Sequence, residues 1–374
     1  MSIMESLHAL RDRIPVSLER PSIRAKQQLK RITPGHRSVG WGDKRLHKLS
    51  KISTGELETA FRRDPLINKG INKRASDKFR SGWSVDSPLD GVAVPESVER
   101  DVGRVNQEMD LANKLVLFDI NRYLYGDAFL ELDDGGDDPG EPIREGGVVD
   151  CHVVYPPGMK VEVDDSNLVK SFVWDYGGDE VRFHPSRIIH RSVNRYGDNH
   201  YGVSVIEVAY NNLLAKVNSD VASGDYRWMK GSPIPYLLKD GAASETEMDA
   251  AEKIFKDFNP GSAVIMGASG TGSWNFGIES PNADSPEPYN TNFYVNLACA
   301  LRMPMMILLG VQKGSVTGSE IDLSEYYSDL DAERESVYSG VLSRIYRGAL
   351  GLFDFEIYWN PLFVDEKSQS EIWK

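Results

Sequence analysis

The stretch Phe293–Leu350 restricts the possible folds of this chain more than any other. An apolar run, FYVNLACALRMPMMILLG, reaches a Met303-Pro304 step. Proline brings no amide to a helix and clashes with the turn before it, so the spacing predicts a helix over Asn290–Met303 that stops there. The loop VQKGSVTGSE follows, rich in Gly, Ser and Thr and carrying one lysine. Thr317-Gly-Ser-Glu320 has the spacing of a capping box and predicts the start of a helix of about 30 residues, about 45 Å long. Leu323, Leu330 and Val337 recur every seven residues along it, followed by Val341 and Ile345. Its middle, SDLDAERES, is acidic and weakly apolar. In one copy such a helix has little to pack on. In a ring of copies its apolar stripe can pack on neighbours while its carboxylates face a channel. The segment contains no catalytic constellation and reads as a moving or lining element.

The rest of the chain predicts an α+β fold. Helical spacing runs over 53–82 (Leu57, Phe61, Leu66, Ile67, Ile71, Ala75, Phe79) and again over 97–125 (Val102, Val105, Met109, Leu115, Ile120). YGDAFLELDDGGDD then alternates like a strand. VVDCHVVYPP, MKVEVDDSN, LVKSFVWDYGGDEVRF and SRIIHRSV follow as short strands separated by Pro, Gly and Asp turns, predicting one antiparallel meander. Helices return at Ser204-Val-Ile-Glu207, a second capping-box spacing. PYLL reads as a short strand. Ser244-Glu-Thr-Glu247 opens a further helix, and SAVIMG with SWNFGIE reads as a hairpin. At 374 residues roughly two to three units are expected.

Charge is divided along the chain. Residues 1–80 hold 19 Lys and Arg against 8 Asp and Glu, while the remainder holds 24 against 48. A basic arm on an acidic body predicts two surfaces with different partners; a solvated tail and an acidity serving solubility or high salt are the plainer readings. No run of 18 apolar residues occurs, and the N-terminus lacks the basic-then-apolar layout of a signal peptide. The two cysteines, Cys151 and Cys299, lie in apolar sequence and read as buried free thiols, too few for a disulfide framework or a cysteine zinc site.

Several patterns resemble chemistry without completing it. In Gly310-Val311-Gln312-Lys313-Gly314-Ser315 the lysine precedes its glycine, whereas a phosphate loop needs it after the last one. Gly267-Ala268-Ser269-Gly270-Thr271-Gly272 reads as a turn in a hairpin. His152, His184, His190 and His200 carry no HExxH or paired-cysteine spacing. The acidic turn from Asp133 to Asp138 lacks the order of a calcium loop and its distal glutamate. Glu320, Asp322, Glu325, Asp329, Asp331, Glu333 and Glu335 read as an acidic helix surface. No nucleophile elbow is present. No cofactor is indicated.

Taken in order, these pieces resemble the portal proteins of tailed double-stranded DNA viruses, over about residues 53–374. LETAFRRDPLINKGINKRASDKFRSGWSV is similar to the family's opening helix pair, which ends in a buried Phe-Arg-x-Gly-Trp. DINRYLYGDAFLELDDG resembles the next helix and strand. VVYPPGMKVEV and RIIHRSVNRYGDNHYGVSVIE resemble the strands leading to a first long helix. LRMPMMILLGVQKGSVTGSEIDLSEYYSDL carries the closest likeness, and WNPLFVDEKSQSEIWK resembles the start of a terminal helical region.

The resemblance implies a basic arm (1–52), a β-rich wing (53–203), a stem helix (204–230), a small α/β clip (231–281), a second stem helix (282–303), a tunnel loop and long tunnel helix (304–350), and the start of a truncated or minimal crown (351–374). It implies a homo-oligomeric ring of about twelve subunits at one capsid vertex of the virion, assembled in the host cytoplasm. Such a ring is a channel for packaging and ejecting double-stranded DNA, without a membrane association or a catalytic site. Large terminase subunit, major capsid protein and a head–tail adaptor are the implied partners. By position, Gln312, Lys313, Ser315 and Thr317 would face DNA from the tunnel loop, with Lys313 giving a weak, sequence-independent phosphate contact. Glu320, Asp322 and Glu325 would line the channel, where like charge keeps DNA from sticking. Trp274 and Phe276 would make clip contacts. Two other classes stay open: a metal-dependent hydrolase built on the histidine- and aspartate-rich β region, and a non-ring scaffold binding nucleic acid through the arm.

Overall fold

The computed structural model describes residues 52–87, 94–136, 138–176, 178–231, 234–239, 246, 274–279, 287–310, 316–352 and 354–362. They divide into two compact units: described residues between 214 and 291 form one, and those of 52–213 with 292–362 form the other.

In the larger unit, the helical spacing over 53–82 resolves into two helices, α1 (Thr54–Arg63) and α2 (Pro65–Phe79). Pro65 forces the break. The residue before a proline is pushed out of the helical region, and Asp64 is extended at φ −89°, ψ 117°. Its carboxylate then accepts the amides of Leu66 at 2.9 Å and Ile67 at 3.0 Å, capping α2. The start of α1 is a reciprocal capping box at Ser53 and Glu56, which the sequence reading did not single out. β1 (Trp83–Asp86) follows. The pattern over 97–125 also breaks, into α3 (Glu96–Glu108) and α4 (Leu111–Tyr125), because Asp110 between them is left-handed at φ 50°.

The predicted single meander is two sheets. β2 (Asp127–Asp133) is the centre of one, flanked antiparallel by β3 (Asp150–Val154) and β7 (Ile188–Ser192). β4 (Met159–Val163), β5 (Val169–Tyr176) and β6 (Asp179–Phe183) form the other, a true meander in the order β4-β5-β6. β2 takes the central place because Ala128, Phe129, Leu130 and Leu132 are all buried, so both faces of this strand are covered and both edges paired. Gly126 and Gly202 allow the chain to pass closely where α4 meets β2. Gly126 is left-handed at φ 92°, and a Cβ on Gly202 would stand 2.3 Å from the carbonyl oxygens of Gly126 and Val193.

α5 (Val205–Gly231) follows Ser204. The Ser204 hydroxyl accepts the Ile206 amide at 3.1 Å and donates to the Leu124 carbonyl at 2.7 Å, so the residue both starts the helix and fastens it to α4. In the smaller unit β8 (Ile234–Lys239) pairs antiparallel with β9 (Trp274–Glu279). The strand SWNFGIE therefore takes PYLL as its partner; SAVIMG and most of the helix expected after Ser244 lie outside the described residues.

α6 (Glu287–Ala300) ends before Met303, and Pro304 starts the short helix α7 (Met305–Leu309). The long helix runs from Val316 to Leu350 as α8 (Val316–Glu333), a π turn (Arg334–Tyr338) and α9 (Ser339–Leu350). Its start places Thr317 inside the first turn and not at the cap. β10 (Glu356–Trp359) returns to pair antiparallel with β1.

Two large apolar clusters share two helices. One gathers Leu115 and Phe118 of α4 with Tyr338, Val341 and Ile345 of the long helix; the other takes Tyr123 and Leu124 of α4 with Tyr326 and Leu330. Cys151 is buried, as expected, but Cys299 is exposed, because its position on α6 turns away from the buried Leu297 and Ala298.

Candidate functional site

The acidic middle of the long helix does not need neighbouring copies to pack on. It is clamped to its own core by three cations. Arg74 and Lys78, one helical turn apart, continue the stripe of Ile67 and Ile71 on α2; Arg122 projects from α4. Lys78 Nζ lies 2.6 Å from the Asp119 carboxylate and also pairs with Glu333. Arg122 reaches Asp119 at 2.9 Å and Glu333 at 3.1 Å. Arg74 pairs with Asp329, and with Glu333 at 3.2 Å. The Tyr123 hydroxyl accepts from Arg74 Nε at 2.8 Å and from Lys78 at 2.8 Å, and donates to Glu333 at 2.7 Å. The Tyr338 hydroxyl donates to Asp119. Lys78 and Asp119 are fully buried.

A largely buried site of this kind is stable only if every charge is answered. Burial alone would raise the Glu333 carboxylate, but Lys78, Arg122 and Arg74 hold it well below the usual range. Burial opposes Asp119 likewise, and Lys78 and Arg122 keep it low. Burial pulls the Lys78 ammonium down to about 8 against the two carboxylates. Burial pushes the Tyr338 hydroxyl well above its ordinary value, which keeps it a donor.

The cluster also holds the Met303-Pro304 step. The Arg74 guanidinium donates to the carbonyl of Arg302, a left-handed residue at φ 50°. Beyond it, Arg334 in the π turn donates to Ser81 Oγ at 2.7 Å and to the Asn360 carbonyl at 3.0 Å, and lies over the Trp359 ring at 4.7 Å. One buried side chain thus joins the α2–β1 corner, the long helix and β10. Phe79 and Trp83 sit at that corner, Phe79 edge-on to Tyr338 at 4.9 Å.

The outer side of the long helix is a different surface. Ile321, Asp322, Glu325, Ser328, Ala332, Glu335, Ser336 and Gly340 are exposed at helical spacing. Among the described residues Asp322, Glu325 and Glu335 enter no ion pair. Of the acidic surface expected here, Asp329, Asp331 and Glu333 are taken up by Arg74, Arg334, Lys78 and Arg122. A charge at a core-facing position stays there when an opposite charge arrives from another helix. Nothing in the spacing of α8 alone reveals that partner. The signal available was on α2, where two cations occupy the stripe begun by Ile67 and Ile71.

Gln312, Lys313 and Ser315 lie outside the described residues. Thr317 lies in the first turn of α8 and Glu320 just after it, and Asp322 and Glu325 follow on its exposed side. Trp274 and Phe276 are in β9, opposite Lys239 and Leu237 of β8. The four histidines do not converge. His190 Nε2 is 2.8 Å from Asp127 and its ring stacks on Phe129 at 4.5 Å; His184 bonds Ser186, and His200 bonds Asn167. His152 is exposed, 3.5 Å from Asp133. Among the described residues no three His, Cys, Asp or Glu are grouped to hold a metal ion. In the acidic turn, Asp134 accepts the Gly136 amide and pairs with buried Arg187 at 2.9 Å, so it closes the turn. No described helix is long and apolar enough to cross a membrane.

The chain matches the family described as phage portal protein over residues 55–374. No curated protein matches it. Among solved structures it is similar to a chain in the neck of an empty GTA particle computed with C6 symmetry, at 16% identity over 85% of both chains with a TM-score of 0.58. It is also similar to one in the neck of the native GTA particle computed with C12 symmetry, at 16% identity over 89% of both and a TM-score of 0.58. A chain in the virion of the native gene transfer agent particle matches at 15% identity over 94% of both, with a TM-score of 0.55. At these identities the likeness is one of fold.

Proposed function

Because the chain belongs to the phage portal protein family, we propose that its copies close into a ring in the neck of a virion-like particle and form the channel through which double-stranded DNA enters and leaves. The observation that carries this reading is the family match from residue 55 to 374, which takes in the whole long helix. The C12 symmetry of the neck that holds a chain of similar fold supports a count of twelve copies. The ring acts by position and charge, with no covalent chemistry of its own; the packaging motor supplies the energy.

In this reading residues 53–203 with the long helix form the wing, 204–230 and 282–303 the stem, 231–281 the clip, and the segment after 351 the start of a crown. The exposed side of α8, with Asp322 and Glu325 bare, repels DNA phosphates, while Lys313 in the preceding loop gives each copy one weak phosphate contact. Such a contact is electrostatic and indifferent to sequence. The clip, with Trp274 and Phe276 on β9, docks the large terminase subunit during packaging and a head–tail adaptor afterwards, and the wing meets the major capsid protein. Electron microscopy of the purified full chain tests the reading: rings with a central channel are expected, and particles no larger than one copy at every salt concentration would overturn it.

A further inference from the structure

Strand β7 and helix α9 bring two arginines together with no acid paired to them among the described residues. Arg191 donates to the His190 carbonyl at 3.0 Å. Arg344 donates to the carbonyls of Ser186 at 2.9 Å and Ile188 at 3.1 Å. The two are neighbours: a Cβ on Gly340 would stand 3.1 Å from an Arg191 guanidinium nitrogen, and Arg344 is one turn beyond Gly340. Both are half-buried. Among the described residues no carboxylate forms an ion pair with either, although the arginines Arg74, Arg122, Arg187 and Arg334 all have one. Burial disfavours the charge of each, and Arg191 adds repulsion at Arg344. Two fixed guanidiniums in this state lack a bidentate anion.

The same helix offers that anion on its other flank. Glu335 is exposed and without an ion pair among the described residues. Arg334, Tyr338, Val341 and Ile345 fill the inner side of the helix. From Tyr338 onward about 100° per residue carries Gly340 and Arg344 to one flank of the outer side, and the wider π turn before Tyr338 leaves Glu335 on the opposite one. A ring is built from a head-to-tail interface, in which one flank of a subunit meets the other flank of the next.

Resting on the ring reading above, we propose that Arg191 and Arg344 are one half of the contact between neighbouring copies, and that the partner subunit's Glu335 supplies the missing carboxylate. The long helix then has an acidic and a basic flank so that each copy completes the next.

The test uses the full chain, with ring assembly followed by native mass spectrometry against protein concentration. R191E should raise the concentration needed for rings about tenfold or more. E335R, a surface change that leaves the core alone, should do the same, and R191E/E335R should recover most of the loss. Rings as stable as the wild type's with R191E would overturn the proposal while leaving the ring reading intact. So would impaired R191E and E335R rings that the double variant does not restore. Unchanged rings that hold double-stranded DNA less well would assign the arginines to a phosphate and equally overturn it. A wild-type chain that makes no rings would remove the ring reading itself, and the proposal with it.

Discussion

Lys78 occupies the position at which the fold has most to lose. It is fully buried between Asp119 and Glu333, with the Tyr123 hydroxyl as a third neighbour. Replacing it by methionine keeps the volume and leaves two buried carboxylates short of one cation. Breaking a buried pair on one side costs about 3–5 kcal/mol, and urea unfolding at neutral pH should show a loss of that order. The pH dependence follows from the same groups. Asp119 and Glu333 titrate lower in the folded chain than in the unfolded one. Their contribution is complete above about pH 4, where free carboxylates ionise, and is lost as pH falls towards their folded values. Lys78 acts in the other window: its folded value of about 8 lies below that of a free lysine, so between the two the native state gains stability as pH rises. Unfolding free energies measured from pH 2 to pH 10 check both signs; a flat acid limb would contradict the cluster. The sequence shows these residues but not their meeting. Asp119 and Arg122 are three apart on one helix, whereas Glu333 is more than two hundred residues away. Only the crossing of three helices makes them one site.

Among elements, those with a local cause were legible and those set by distant pairing were not. The helix stop at Met303-Pro304 is visible because proline acts on its immediate neighbours; so is the helix start at Ser204, whose hydroxyl accepts the Ile206 amide. The break at Asp64 is an exception, since Pro65 is a local cause that the continuing apolar spacing overrode, whereas the left-handed Asp110 has no such mark in the spacing. The sheets show the same division. β4, β5 and β6 are joined by short turns and pair in sequence order, while β7 pairs with β2 across more than fifty residues, a choice fixed by burial of both faces of β2. The closing of that sheet depends on the Gly126–Gly202 crossing. Gly202→Ala would force a methyl group against two backbone carbonyls, and overpacking of this kind costs about 1–3 kcal/mol. A thermal melt should register it, and an unchanged midpoint would show that the crossing is looser than the distances imply. The π turn at Arg334–Tyr338 had no signature in the spacing. It sits where Arg334 must reach Ser81 and Asn360 while Tyr338 reaches Asp119.

For the whole molecule, a helix that grips its own core on one side and leaves a stripe of Asp, Glu, Ser, Ala and Gly bare on the other is suited to face water, DNA or another copy. The division of labour predicts separable effects. Lys313→Ala should leave rings intact and change how firmly packaged DNA is held, measured as DNA retained per particle under dilution; loss of rings would mean that the loop has a structural role instead. Removing residues 1–50 should also leave rings, whereas a scaffold acting only through a basic arm would lose its nucleic-acid binding altogether. The portal likeness was legible in the order of segments from 53 onward, because each piece is set by local turn and cap chemistry. The contacts that would hold copies together were not, since they depend on flanks of helices that only the folded chain defines.

Every role proposed for this chain depends on its copies closing into a ring. Native mass spectrometry of the full-length protein, across protein concentration and salt, tests it most directly. One discrete assembly at or near twelve copies is expected, persisting over a broad concentration range. A distribution that stays monomeric, or that grows without limit into open chains, would contradict it.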